Sequence, residues 1–326
     1  MMEEFEEFES KAIHQSQYYK DAFKLIQDRQ RGVITSLKTP WDKFNNETLN
    51  GIEWKSMVTF AARSSVGKTA IKDQIIRSAR HLNNNTEFEI VEFQFELPGV
   101  QHAIRQLAGH MKVPYQTMQS KDGPIAESEL LKIKGAIKSL VGYPLPYVVN
   151  SPTTVQGIKR EIEYHSGIKF QGKKVIYTLD HALLVLRSGK QDERQTLNEL
   201  GSMITEMKNK YDIIFILLSQ LNRNIENPIR NEDGKPGNYI TSGDLFGSDA
   251  LMQHSDIVVG INRPGMFNLR YYGPLRHVIT SKYTTVFHMI KNRNGEAGQM
   301  LWFELDGPTM SFNEREEPEV KSKLDF

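Results

Sequence analysis

The segment Ala62-Arg63-Ser64-Ser65-Val66-Gly67-Lys68-Thr69-Ala70 stands between an apolar run, Met57 to Ala61, and a helix-like run, Ala70 to Leu82. A loop so placed binds phosphate: backbone amides at the start of the following helix point at the anion, and Lys68 adds a compact positive charge. The Thr69 hydroxyl is the expected ligand for Mg²⁺. The general pattern wants glycine five residues before Gly67, and Ala62 occupies that place. The bland alternative is a Gly-Lys-Thr triplet that merely opens a helix, and a strand in front of it speaks against that.

Three further polar residues close apolar runs. Glu96 follows Glu92-Phe93-Gln94-Phe95 and has the chemistry to orient and deprotonate an attacking water, or to be a solvated strand end. Asp180 ends Val175 to Leu179 and suits a magnesium-binding aspartate or a turn residue. Gln220 ends Leu217-Leu218-Ser219, where an amide can sense a terminal phosphate. Each is ambiguous alone. Together they put polar groups at the carboxyl ends of three apolar runs, where open parallel sheets bind ligands.

The elements that must carry these residues follow from the pattern. Strands are expected at Met57–Ala61, Phe88–Phe95, Tyr147–Val149, Lys174–Leu179, Ile213–Leu218, Ile257–Ile261, Thr285–Ile290 and Met300–Leu305, with longer helical runs between. That alternation predicts an α/β fold with a mostly parallel sheet. The last two strands read as an antiparallel hairpin around Asn294-Gly295. Before the main body, residues 9–30 repeat Tyr18, Tyr19, Ala22, Phe23, Leu25 and Ile26 at helical spacing, and Gly32 ends the run. Such a helix packs on its own core or on a neighbour.

Composition bounds the function. The 326 residues are 39% hydrophobic and 25% charged, and 41 Lys and Arg nearly cancel 40 Asp and Glu. No global positive field announces a polyanion, so such a partner must be met locally. There is no cysteine, hence no disulfide and no thiolate metal site. The longest apolar runs fall short of the roughly 18 residues of a membrane span, and the acidic start is unlike a signal peptide. The expectation is a cytoplasmic chain with no membrane contact.

Four blocks in order make the sequence resemble the ATPase domain of the DnaB family of replicative helicases: Ala61 to Thr69, Phe93 to Pro98, Leu218-Ser219-Gln220-Leu221-Asn222-Arg223, and Lys291-Asn292-Arg293-Asn294-Gly295. The family also has alanine at the place of Ala62. The resemblance implies a RecA-like P-loop NTPase core with a C-terminal β-hairpin, assembled as a hexameric ring that hydrolyses ATP with Mg²⁺ and moves on single-stranded DNA. It implies Lys68 and Thr69 on phosphate and metal, Asp180 on the metal, Glu96 as catalytic base and Gln220 as γ-phosphate switch. Lys291 and Arg293 would act in trans on a neighbour's nucleotide. Solvated charge beside a hairpin turn is the bland alternative for that pair. Arg63 and Arg105 are further positions near the nucleotide or subunit interface. The implied organisation is a linker helix within 1–31 that docks on the next subunit, an ATPase domain at 32–312 and a charged flexible tail at 313–326. The helical amino-terminal domain of full-length members is missing from this sequence, which suggests a phage or mobile-element relative. Primase or a helicase loader are possible partners.

The resemblance fails where DNA would be held. The family's channel loop carries arginine and glycine where this chain has Phe246 and Asp249, within Asp244-Leu245-Phe246-Gly247-Ser248-Asp249-Ala250-Leu251. Phe246, Gly247, Ser248 and Asp249 are the expected DNA contacts, with weakened charge. Residues 262–293 interleave Arg263, Arg270, Arg276 and Lys282 with Phe267, Tyr271, Tyr272, Tyr283 and Phe287, which suits single strands or a packed ribbon. Two rivals to the helicase remain: a DnaB-derived ring that binds nucleotide as a scaffold, and a RecA- or RadA-like recombination ATPase.

Overall fold

The structure, a computed structural model, describes residues 12–33, 35–120, 123–227, 230, 239–307 and 309–321. They form two compact units divided between Ser36 and Leu37, a few residues beyond the expected boundary. The smaller unit is essentially one helix, α1 (Gln15–Gln30), in which Tyr18, Tyr19, Phe23, Leu25 and Ile26 are all exposed and no residue is buried. Residues 9–11 of the expected helix lie outside the described residues.

In the larger unit a short helix α2 (Asp42–Glu47) precedes the sheet. Six strands run parallel: β1 (Ser56–Ala62), β2 (Phe88–Gln94), β3 (Tyr147–Val149), β4 (Lys174–Asp180), β5 (Ile213–Gln220) and β6 (Ile257–Asn262). A two-stranded ribbon follows, β7 (Tyr271–Tyr272) and β8 (His277–Val278). Then β9 (Thr284–Asn292), β10 (Met300–Asp306) and β11 (Ser311–Glu314) extend the sheet antiparallel beyond β6. The order across the main sheet is β11-β10-β9-β6-β1-β5-β4-β2-β3. The β1, β4, β5 and β6 runs are almost wholly buried, as strands covered on both faces must be.

The crossover helices are α3 (Lys68–Leu82), α4 (Gly99–Met111), α5 (Tyr115–Met118), α6 (Glu127–Val141), α7 (Val155–Tyr164), α8 (Glu193–Lys210) and α9 (Ser248–His254). One face of the sheet packs on α3, with Ile71, Ile75 and Ala79 against Phe60, Ile90, Ile176 and Ile216. The other packs on α7 and α8, where Ile158, Leu200 and Ile204 meet Tyr177, Phe215 and Leu217. Alternation along each strand sorts these two sets. Local signals set the helix starts: Asp192 and Gln195 form a capping box for α8, and the Thr154 side chain accepts from Gly157 N in α7. α6 has no buried residue and exposes Leu130, Leu131, Ile137 and Val141.

Two features differ from the expectation. Asn294-Gly295 is no two-residue turn, because β9 outruns β10 to pair with β6 as far as Asn292, so residues 293–299 must span the gap. Gly295 serves close approach instead: a Cβ there would lie 2.6 Å from the Glu47 carbonyl oxygen. The segment expected as a flexible tail is held as far as Lys321: Ser311–Glu314 pairs with β10, Arg315 N donates to Trp302 O at 2.9 Å, and Val278 N donates to Glu319 O at 2.8 Å. Residues 322–326 lie outside the described residues. Trp41 is a core residue whose ring stands edge-on to Phe287 and Phe303 while its Nε1 donates to Phe312 O at 3.0 Å.

Candidate active site

The phosphate loop leaves the carboxyl end of β1. Ala62 is still strand, in register with Gln220 of β5 and Ile261 of β6, so its backbone has no need of glycine. Gly67 does: its φ is +117°, and a Cβ there would lie 2.8 Å from Phe312 Cζ. Val66 and Ala70 are buried and anchor the loop, whereas Ser64 and Ser65 are exposed. Lys68 is buried, and its Nζ donates to the carbonyls of Ala62 and Arg63, both at 3.3 Å. Burial lowers its pKa, and the charges of Glu96 and Asp180 work against that shift.

Thr69 and Asp180 are brought together, the hydroxyl donating to Oδ2 at 2.8 Å. Asp180 is fully buried, and burial pushes its carboxyl up against the opposing charge of Lys72 and the Thr69 bond. Its Oδ1 has no hydrogen-bond partner. An orphaned buried carboxylate oxygen beside a hydroxyl is an oxygen donor set that fits a hard divalent cation such as Mg²⁺. Gln220 lies at the other edge of the loop, with Nε2 3.4 Å from Ser64 Oγ. Glu96 is exposed, one residue past Phe95, whose N donates to Asp180 O at 3.0 Å. Asn150 brackets the Glu96 loop: its Nδ2 donates to Gln94 O (2.8 Å) and Leu97 O (2.9 Å), and its Oδ1 accepts from Gly99 N (3.0 Å).

Comparison with known proteins accords with this geometry. The family model for the DnaB-like helicase C-terminal domain matches residues 36–313. The chain belongs to that family. The replicative DNA helicase DnaB of Geobacillus stearothermophilus is 24% identical over 254 residues, covering 76% of this chain and 51% of that protein. The DnaB of Buchnera aphidicola (subsp. Acyrthosiphon pisum, strain APS) is 26% identical over 242 residues, covering 72% and 48%. This DnaB-family chain thus spans about half the length of the curated relatives it matches. Among solved structures, the ATPase domain of G40P superposes with a TM-score of 0.77 at 18% identity, covering 94% of this chain and all of that one. A DnaB-like replicative helicase, solved with its interactions with primase, gives 0.73 at 18% identity, covering 93% of this chain and 67% of that one. The RecA-like core expected from the DnaB resemblance is therefore the fold observed.

The remaining predicted residues of this DnaB-family chain lie elsewhere. Lys291 Nζ donates to the Met252 carbonyl at the end of α9, and Arg293 pairs with Asp256 at 2.7 Å while its side chain stays 53% exposed. Asp256 also accepts from Met57 N and pairs with buried Lys208. All of these stand at the amino ends of β1 and β6, opposite the phosphate loop. Arg63, by contrast, is in the phosphate loop, where its side chain pairs with Glu226 and donates to Leu221 O at 3.2 Å, and Arg105 of α4 lies over the Tyr115 ring.

The expected channel loop is mostly not a loop. Gly247, in the left-handed region, caps α9, whose first residues are Ser248 and Asp249; the side chains of those two lie outside the described residues. The Phe246 ring packs among the apolar residues of the α7–α8 face, so it does not stand free to stack on a base. Its N donates to Gln220 O at 3.0 Å. The basic and aromatic stretch 262–293 resolves mainly into packing: Tyr272 and Phe287 are buried, and Phe267 joins the cluster of Leu269, Val286 and Trp302. Arg263 is the exception. It donates to Ser65 O at 3.4 Å and lies 5.9 Å from the Tyr283 ring, at the rim of the phosphate loop.

Sequence reading missed Asn150 and a buried group around Lys72. The available signal for the latter was Glu92, a carboxylate inside the apolar run Ile90 to Phe95, which a parallel strand tolerates only when paired. For Asn150, replacement by alanine removes three side-chain hydrogen bonds to the backbone at an exposed position that water reaches, so Asn150→Ala is expected to cost about 0.5–1.5 kcal/mol in a urea titration. Asn150→Asp keeps the acceptor for Gly99 but sets a carboxylate oxygen against the Gln94 and Leu97 carbonyls, and should cost at least as much.

Proposed function

We propose that this chain is the motor domain of a ring-forming ATPase that moves on single-stranded DNA in replication, as DnaB-type helicases do. The observation that carries the reading is the Thr69–Asp180 pair beneath a phosphate loop whose opposite edge is Gln220. Loop amides from Arg63 to Ala70 and the Lys68 ammonium hold the β- and γ-phosphates of ATP. Lys68 is already desolvated there, so its charge acts at close range. Thr69 and Asp180 hold Mg²⁺, which when bound neutralises charge on the phosphate oxygens. Glu96 orients the attacking water and takes its proton.

Gln220 links this site to the rest of the molecule. Its amide reaches Ser64, and its carbonyl accepts from Phe246, so a shift set by the γ-phosphate is passed to the segment that leads into α9. DNA contact falls to the backbone of Gly247, Ser248 and Asp249, with little charge and hence a shallow dependence on salt.

Lys291 and Arg293 act on the nucleotide of a neighbouring copy. Their own phosphate loop is out of reach: Arg293 lies beside Asp256, and five steps of strand lead from Met57 to Ala62, roughly 17 Å at about 3.3 Å per step. The exposed apolar side of α1 docks on a neighbour, for which the unpartnered face of α6 is the matching surface. Six copies would close the ring. A primase, the partner of the second similar structure, is a further candidate partner, as is a loader.

Lys68→Ala is expected to abolish ATP turnover, and Arg293→Ala to hydrolyse poorly while still binding nucleotide. Mixing Arg293→Ala with Glu96→Ala should restore activity at hybrid interfaces, measured as phosphate release. Full turnover by Lys68→Ala would remove the phosphate-loop reading. No recovery in assemblies shown to exchange subunits would remove the trans role.

A further inference from the structure

One helical turn beyond Lys68, and therefore on the same face of α3, a second lysine is buried to 0% exposure. The Lys72 ammonium bonds Glu92 Oε2 and reaches Asp73 Oδ1 at 2.9 Å, Gln94 Oε1 at 3.2 Å and His102 Nε2 at 3.3 Å. His102 Nε2 is also 3.1 Å from Asp73 Oδ1, so it either accepts from the ammonium or donates to the carboxylate. The ligand atoms of Asp73, Glu92 and His102 lie within 4.8 Å of one another, a spacing fit for a metal ion, and the ammonium touches all three. Burial alone would strip the lysine of its charge. Asp73, Glu92 and Asp180 outweigh it and hold the pKa above the ordinary value.

A leucine or methionine would fill this space without taking charges out of water, so packing does not account for the group. Its position does. Lys72 belongs to the helix that starts with Lys68 and Thr69. Glu92 and Gln94 end β2, and His102 is in the first turn of α4. Glu96 lies between those two anchor points, two residues after Gln94 and three before α4. Glu92 Oε1 and Gln94 Nε2 have no hydrogen-bond partner, and the other polar atom of each side chain, Glu92 Oε2 and Gln94 Oε1, bonds the ammonium, which is the tether for both.

We propose that Lys72 is a positioning residue for hydrolysis: as an internal cation it ties the end of β2 and the start of α4 to the phosphate helix, which fixes Glu96 relative to the bound phosphates. The proposal rests on the reading of Glu96 as the base. Lys72 touches no substrate and acts through the loop it holds.

Because Lys72→Met alone strands two buried carboxylates, the test uses Lys72→Met/Glu92→Gln, which removes the ammonium together with its closest carboxylate and leaves Asp73 its histidine. Gln94→Met cuts one tether and leaves the ion pair intact, which keeps the test valid if the pair of changes prevents folding. Steady-state ATP turnover and affinity for a fluorescent ATP analogue are measured on the full chain, with circular dichroism and sedimentation as checks of fold and assembly. The expected result is a fall in kcat of about tenfold for the double variant and a few-fold for Gln94→Met, with nucleotide affinity within about twofold, the signature of an interaction that matters only in the transition state. A folded, assembled variant with wild-type kcat overturns the proposal. Glu96→Gln runs alongside: its loss of turnover with no loss in the Lys72 and Gln94 variants overturns this proposal alone, whereas its retention of turnover overturns the reading of Glu96 and this proposal with it.

Discussion

A parallel strand is a rigid spacer, and the proposed nucleotide site and the basic pair Lys291 and Arg293 are fixed at its opposite ends. The phosphate loop, Thr69, Asp180, Glu96 and Gln220 stand at the carboxyl ends of β1, β2, β4 and β5. Lys291 and Arg293 arrive on β9, which runs antiparallel to β6 and so delivers its last residues to the amino ends. Asp256 holds Arg293 there, with Met57 N and Lys208 completing its bonds, and the Met252 carbonyl holds Lys291. No side-chain rotation closes a gap of roughly 17 Å. Under the proposed reading, basic charge from that end serves a nucleotide only across a boundary between copies, and assembly is then a condition of catalysis rather than an addition to it.

The same sheet separates stability from chemistry along each strand. On the α3 face, Phe60, Ile90, Ile176 and Ile216 give an apolar band that carries the hydrophobic contacts. Towards the carboxyl ends the same face turns polar through Glu92, Gln94, Thr178, Asp180 and Gln220, all buried or nearly so. Charge at that depth is stable only when matched, and Lys68 and Lys72, one turn apart on α3, supply the match from above. Ion pairing of Lys72 within the chain thus lays down part of a charge pattern that, under the proposed reading, metal and phosphates would complete.

Much of this was legible because apolar runs and their polar ends are local signals. The strands that lead to Lys68, Glu96, Asp180 and Gln220 lie within a residue or two of their expected limits, since continuous burial leaves continuous apolar sequence. What could not be read depends on distant partners. Phe246 sits where a phosphate-binding residue is expected, yet its ring joins a core built from α7 and α8. Arg315 and Glu319 look like a solvated tail, but β10 and β8 offer them backbone partners. Asn294-Gly295 spells a tight turn, and the extra length of β9 overrides it. Lys72 reads as surface charge on an amphipathic helix, and only the fold shows that Glu92 lies opposite.

The most direct test of the account is ATP turnover per chain measured across a wide range of protein concentrations, with the oligomeric state followed by sedimentation in the same solutions. A site completed by a neighbour requires the rate per chain to rise steeply as copies assemble, to level off once assembly is complete, and to vanish in the monomer. A rate per chain that stays constant down to concentrations where sedimentation shows only monomer would contradict the claim that hydrolysis needs residues from both ends of the sheet.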